Sequence, residues 1–205
     1  MANLPPKASK KPSMKERILE TADRLFYLKG IRAIGVDTIA AEIGISKRTL
    51  YNHFPSKDAL ISAYLERRFV QPRPSDKSPV EQILGTFDSL ERRFSAKDFR
   101  GCPFVNAVAE MGPGDKSVKK IAIDFKESRR LWFRDLLVKL GVADAEGLAT
   151  QLVLLVDGSI AQDLVRDDPK MARAAKEAAR VLLAGAGVRL DAPPSPLSGK
   201  RRAKA

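Results

Sequence analysis

Apolar residues recur at intervals of three and four along nearly the whole chain, which is the period of an amphipathic helix. No stretch alternates apolar and polar residues for long enough to predict a strand. Ser13-Met-Lys-Glu16 forms a capping box: the serine oxygen accepts from a free N–H, and the glutamate reaches back. Ile18, Ala22, Leu25 and Phe26 then mark one apolar face, and Gly30 ends the helix. Short helices are expected at about 37–43 and 47–53, and Ser56 caps a fourth that runs to about Phe69. Gln71-Pro-Arg-Pro74 breaks it. Ser78-Pro-Val-Glu81 is a second capping box with proline at the first helical position, opening a helix to about Ala96. Gly101-Cys-Pro103 interrupts, a short helix follows to about Glu110, and Met111-Gly-Pro-Gly114 breaks again. Long helices are expected at about 116–140, 144–166 and 169–186, the last opened by Asp168-Pro169. The predicted fold is therefore all-α, with about nine helices and no internal repeat.

The segment from Thr38 to Phe54 carries the most chemistry. Two short helices meet at Gly44, where so tight a turn needs a residue tolerant of positive φ. Ala40 is small enough for the second helix to cross close over it, and Ile39, Ile43, Ile45 and Leu50 are placed to pack the two helices together. Ser46 caps the second helix. Its outer face carries Lys47, Arg48, Thr49, Tyr51 and Asn52, donors and acceptors of the kind that read base edges in a major groove. A plain helical hairpin with a solvated charged face has the same outline; the polar and aromatic outer face and the basic flank favour DNA.

These residues resemble the TetR family of repressors. The resemblance rests on Gly35-x-x-Thr38-Ile-Ala-x-x-Ile-Gly44-Ile-Ser46, then Leu50-Tyr51-x-His53-Phe54, then Ser56-Lys57-x-x-Leu60. It implies phosphate contacts by Thr38, Ser46, Tyr51, His53 and Lys57, and base-facing positions for Lys47, Arg48, Thr49 and Asn52. Arg48 departs from the glycine common in the family and adds a side chain able to read guanine. The implied organisation is a basic disordered arm over 1–12 and a three-helix, helix-turn-helix DNA-binding domain over 13–56. A ligand-binding and dimerisation domain then covers 57–187, and a basic disordered tail 188–205. The implied partners are a double-stranded operator, a small-molecule effector and a second copy of the chain.

Charge sharpens this picture through its distribution. The net charge is +12; residues 1–60 hold 11 Lys/Arg against 6 Asp/Glu, and residues 189–205 hold 5 against 1. A basic first third suits a polyanionic partner, although a non-specific nucleoid-type DNA-binding protein shares that feature. Cys102 is the one cysteine, so no internal disulfide forms, which suits a reducing compartment. The first residues lack the apolar stretch of a signal peptide, and the longest apolar-plus-glycine run, Val181 to Val188, is too short to span a bilayer. The expectation is a cytoplasmic protein with no membrane partner. His53 is the only histidine and has no Cys or His neighbour, so neither a metal site nor another cofactor is expected. With no Ser-His-Asp spacing and no glycine-rich phosphate loop, enzymatic function is not expected.

The remaining helices give coarser expectations. Val118, Ile121, Ala122, Phe125, Trp132 and Leu136 form an apolar stripe, joined by Phe94, Phe99, Phe104 and Met111 from neighbouring segments. These read as core, and some are candidates to line an effector cavity: Phe94, Phe104, Phe125 and Trp132, with Asn106, Gln151 and Gln162 as polar groups. Leu148, Leu152, Leu155, Val156, Ser159 and Ile160 on one late helix, and Met171, Ala174, Ala175, Ala178, Val181 and Leu182 on the next, are expected to form a four-helix interface between two subunits. Cys102, beside Arg100, is expected to be buried and inert, with oxidant or electrophile sensing as the sharper alternative.

Overall fold

The computed structural model describes residues 12–72, 75–112 and 114–190. Of the expected arm and tail, only residue 12 and residues 188–190 are among them. The described residues hold nine helices and no strand: α1 (Met14–Lys29), α2 (Val36–Ile43), α3 (Lys47–His53), α4 (Lys57–Arg68), α5 (Pro79–Phe94), α6 (Pro103–Met111), α7 (Lys116–Lys139), α8 (Ala145–Arg166) and α9 (Lys170–Gly185). Both capping boxes form: Ser13 Oγ accepts from the Glu16 N–H and Ser78 Oγ from the Glu81 N–H, and each glutamate accepts from its cap residue's N–H. The last helix opens one residue later than expected, yet the Asp168 carboxylate still accepts from the Lys170 N–H at 3.0 Å.

The chain divides into two compact units. Among the described residues the first runs from 12 to 69 and resumes at 103, ending at 122, so it unites α1 to α4 with α6 and the first residues of α7. Within it α1 packs on α2 and α4, α2 on α3, and α4 on α6. Its interior is formed by Ile18, Leu25 and Phe26 of α1, Ile39 and Leu50 of α2 and α3, and Leu60, Ile61, Tyr64 and Leu65 of α4, all buried. The sequence boundary expected at 56/57 thus runs through the middle of this unit. Arg68 explains why α4 stays with α1: its guanidinium grips both carboxylate oxygens of Asp23 at 2.6 and 2.9 Å and lies 4.1 Å from the centre of the Tyr27 ring. Such a bidentate fork fixes orientation as well as distance.

The second unit takes in the described residues between 70 and 102 and from 123 to 190, and contains α5, most of α7, α8 and α9. Its core draws on Ile83, Phe87 and Phe94 of α5, Phe133 and Leu137 of α7, Leu148, Leu152 and Val156 of α8, and Ala172, Ala175, Ala179 and Leu183 of α9. The three alanines at spacings of three and four let α9 lie close against α5 and α8. Val188, expected to begin the disordered tail, is buried in this core, and its N–H donates to the Leu183 carbonyl.

α8 departs from expectation in its facing. Leu148, Leu152, Val156 and Ser159, expected at a subunit interface, turn inward and are buried. The outward face carries Gln151, Leu154, Gly158, Ala161 and Val165 instead, with Leu154 65% and Val165 85% exposed. Both sides of α8 are apolar, so the helical period identifies two stripes and burial takes the one with larger, better-spaced side chains. For the same reason α8 is long and apolar enough, by length and composition, to cross a membrane.

Candidate nucleic-acid interface

The candidate interface is built on α2 and α3 and the turn between them. Gly44 ends α2 in the left-handed conformation, φ 70°, where an L side chain is strained. Its N–H bonds back to Ala41 O and the Ile45 N–H to Ala40 O, which closes α2 and launches α3 at a sharp angle. Ala40 is buried beneath this crossing, as expected, along with Ile39 and Leu50; Ile43 and Ile45 are only half-buried. Ser46 caps α3, its Oγ accepting from the Thr49 N–H at 3.1 Å.

With Leu50 and Phe54 buried inward, the other residues of α3 turn out. Lys47, Arg48, Tyr51, Asn52 and His53 are exposed, and Thr49 is half-buried with its hydroxyl 2.9 Å from that of Ser46. Thr38 is exposed on α2 and Ser46 at the head of α3. Eight of the nine expected DNA-binding residues therefore lie on one continuous stretch of α2, the turn and α3.

Two of the cations are not free. Lys47 Nζ lies 3.0 Å from the Asp37 carboxylate, an exposed pair that raises the lysine pKa through that hydrogen bond. Lys57, the ninth residue, is half-buried at the start of α4, and its Nζ donates to the Ile31 carbonyl at 2.7 Å. An ammonium has three donors, so the tie leaves two for a phosphate while fixing where the group can reach.

Sequence reasoning missed the residues that hold this platform. Glu110 of α6 accepts from the Arg32 N–H at 2.9 Å. Gly30 adopts φ 93°, a conformation that strains an L side chain, and a Cβ there would stand 3.0 Å from the tip of the same carboxylate. Arg17 donates to Ile43 O, and Arg24 pairs with Glu42 at 2.7 Å, pinning α2 onto α1. These partners are 18 to 78 residues apart in the chain and carry no local signal.

The residues expected to line an effector cavity divide between the two units. Phe104 and Asn106 belong to the first unit, where Phe104 is buried edge-on against Phe69. Phe94, Phe125, Trp132 and Gln151 belong to the second. There Phe94 borders a cleft with Phe99 and Asp163, while Trp132 borders another with Arg93 and Arg129. Gln151 is exposed on the outward face of α8, because Leu148 and Leu152 occupy the inward one. Gln162 is likewise exposed, and Cys102 is buried.

Known proteins resemble this chain over the same elements. The family model described as "Bacterial regulatory proteins, tetR family" matches residues 18–64. A solved structure of a putative tetR transcriptional regulator from Streptomyces avermitilis is 31% identical, aligns over 87% of this chain and 100% of that one, and has a TM-score of 0.77. Among curated proteins, the uncharacterized HTH-type transcriptional regulator YxaF of Bacillus subtilis is 27% identical over 165 residues, 75% of this chain and 86% of that protein. The HTH-type transcriptional repressor KstR2 of Mycolicibacterium smegmatis is 29% identical over 100 residues, 43% of this chain and 49% of that protein.

Proposed function

This chain belongs to the tetR family of bacterial regulatory proteins and is a DNA-binding transcriptional regulator; we propose that it is a dimeric repressor which a small effector releases from a palindromic operator. The observation that carries the reading is the outer face of α3. Arg48, Asn52 and His53 are exposed there on a helix seated on a buried, glycine-turned platform. In a major groove, Arg48 is suited to guanine and Asn52 to adenine, while Thr38, Ser46, Tyr51, His53 and Lys57 take phosphates.

One such head spans only a few base pairs, so useful specificity calls for two. The outward faces of α8 and α9 supply the means: Leu154, Val165 and Val181 are exposed apolar side chains of the sort a subunit interface covers. Repression is the sign favoured by KstR2, a relative that carries that role in its name. Release follows if a ligand binds better to a form whose heads are wrongly spaced; a tenfold release needs about 1.4 kcal/mol of such differential affinity. The working compartment on this reading is the cytoplasm, where the operator is.

Footprinting on the DNA upstream of the protein's own coding region tests the reading. A regulator protects a short inverted repeat with recognition helices about 34–36 Å apart. Uniform coating of the fragment would instead mark a nucleoid-type protein and overturn the operator claim.

A further inference from the structure

Between α5 and α7 of the second unit lies a cleft of about 320 Å³, at the small end of the range for ligand pockets. Its α7 wall carries Arg129 and Trp132, and its α5 wall Arg93. Arg129 is half-buried, and among the described residues neither it nor Arg93 makes a salt bridge. Burial, and then the like charge of Arg93, lower the Arg129 pKa. A guanidinium cannot escape such a site by losing its proton at neutral pH, so the two cations stay charged and repel each other.

The rest of the lining sharpens what is missing. Thr86 and Ser89 turn their hydroxyl protons onto the Gln82 and Gly85 carbonyls of α5 itself, and the Gln82 amide donates to the Lys77 carbonyl. The two guanidiniums therefore carry most of the free donor capacity in the cleft, with the exposed Lys77 ammonium at its rim and the Trp132 indole N–H beside them. The single carboxylate at its edge, Glu81, is exposed and committed to the Ser78 N–H of its capping box. Trp132 is half-buried and offers a flat apolar surface beside the charges.

We propose that this cleft binds a small organic carboxylate with a flat apolar body, gripped by Arg129, drawn in by Arg93 and packed against Trp132. The planar guanidinium fork matches a carboxylate in two parallel hydrogen bonds, and an incoming anion removes the repulsion between the two arginines. As a binding site it stands alone; as the effector site it rests on the ligand-responsive reading above, to which it adds one anionic group on the apolar effector.

Trp132 is the only tryptophan in the chain, so its fluorescence reports this cleft. Full-length protein is titrated with hydrocinnamate and with its neutral amide, hydrocinnamide, following that signal. The acid should bind saturably and about tenfold more tightly than the amide, the difference expected from one charge-assisted contact. Arg129→Gln should bring the two ligands level while leaving the helical circular dichroism and melting temperature near those of the parent. Arg93→Gln, at an exposed position, should weaken the acid by a smaller factor. Equal affinity for acid and amide, or an acid preference that survives Arg129→Gln, overturns the proposal. Operator binding measured in the same samples separates the two readings. Arg129-dependent acid binding that leaves operator affinity unchanged keeps the site and removes its regulatory role. Release by hydrocinnamide with a silent Trp132 keeps the effector reading and overturns this site.

Discussion

The outward faces of α3 and α8 are both open to water, and they are opposites. α3 shows Lys47, Arg48, Asn52 and His53 around one tyrosine, whereas α8 shows Leu154 and Val165 separated by glycine, alanine and glutamine. A polar, cationic face is well solvated alone and can be covered and uncovered by a partner whose own charges are screened by salt. An apolar face of about three helical turns gains from staying covered, because each buried leucine or valine contributes about 1.5–3 kcal/mol. The first chemistry suits an intermittent polyanion and the second a lasting protein interface. Attraction at α3 should therefore fade with ionic strength while association through α8 holds.

Substitutions at α8 should have the largest effect. Leu154→Glu places a charge at the centre of the outward face and should give a monomer in sedimentation, with operator affinity down by about a hundredfold or more as the second head is lost. Its neighbour Leu152 is fully buried on the inward face, so Leu152→Ala should lower stability by about 2–5 kcal/mol while the folded fraction remains dimeric. A Leu154→Glu variant that stays dimeric would mean another surface joins the subunits.

Arg48→Ala should come next, at about 1–3 kcal/mol per half-site with relaxed preference at one base position and no change in melting temperature. Selection from randomised DNA reads this directly, and an unchanged consensus would remove Arg48 from the base-reading set. Lys57→Met should behave differently because Lys57 is tied to Ile31 O. It should lower stability by about 1 kcal/mol and shallow the salt dependence of binding, weakening all sequences alike. A shift in melting temperature with an unaltered salt slope would make Lys57 a brace for the turn after α1 and not a phosphate contact.

The two faces were unequally legible in the sequence. On α3 the identity of the face follows from local rules: Gly44 must turn, Ser46 must cap, Leu50 must go inward, and the residues left over point out. Local hydrogen bonding also made both capping boxes readable. On α8 the same periodicity marks two apolar stripes three residues apart, and only contact with α5 and α9 decides between them, so Leu148, Leu152, Val156 and Ser159 proved to be core while Leu155 and Ile160 are half-buried. The ties that steady the head were illegible for a related reason. Glu110 to the Arg32 N–H, Lys57 to Ile31 O and Asp23 to Arg68 each depend on where distant backbone arrives. The expected effector residues divide between the two units, and an aromatic at helical spacing is equally good core; the cations beside Trp132 gave no pattern along the chain.

The smallest effect should come from the one carboxylate that α8 turns inward. Asp163 is 3% exposed, and its Oδ1 has no hydrogen-bond partner among the described residues. Burial first, then the neighbouring charges of Asp167 and Asp168, hold its pKa above the ordinary 3.8; Lys97 and Arg100 border the same cleft. A carboxyl whose folded pKa is raised binds its proton more tightly in the folded state than in the unfolded chain. As pH rises from below 3.8 through the raised value, the unfolded chain releases that proton first, and stability falls until both states are ionised. Asp163→Asn removes this penalty but leaves a buried amide to satisfy, which keeps the net gain small. The variant should therefore melt higher than the parent at neutral pH, and the difference should vanish as the pH is lowered into the ordinary carboxylate range. The exposed polar side chains of α3, by contrast, should leave melting indifferent to Asn52→Ala or Arg48→Ala across the same range. A constant offset between Asp163→Asn and the parent at every pH would show that the residue acts by shape and not by charge.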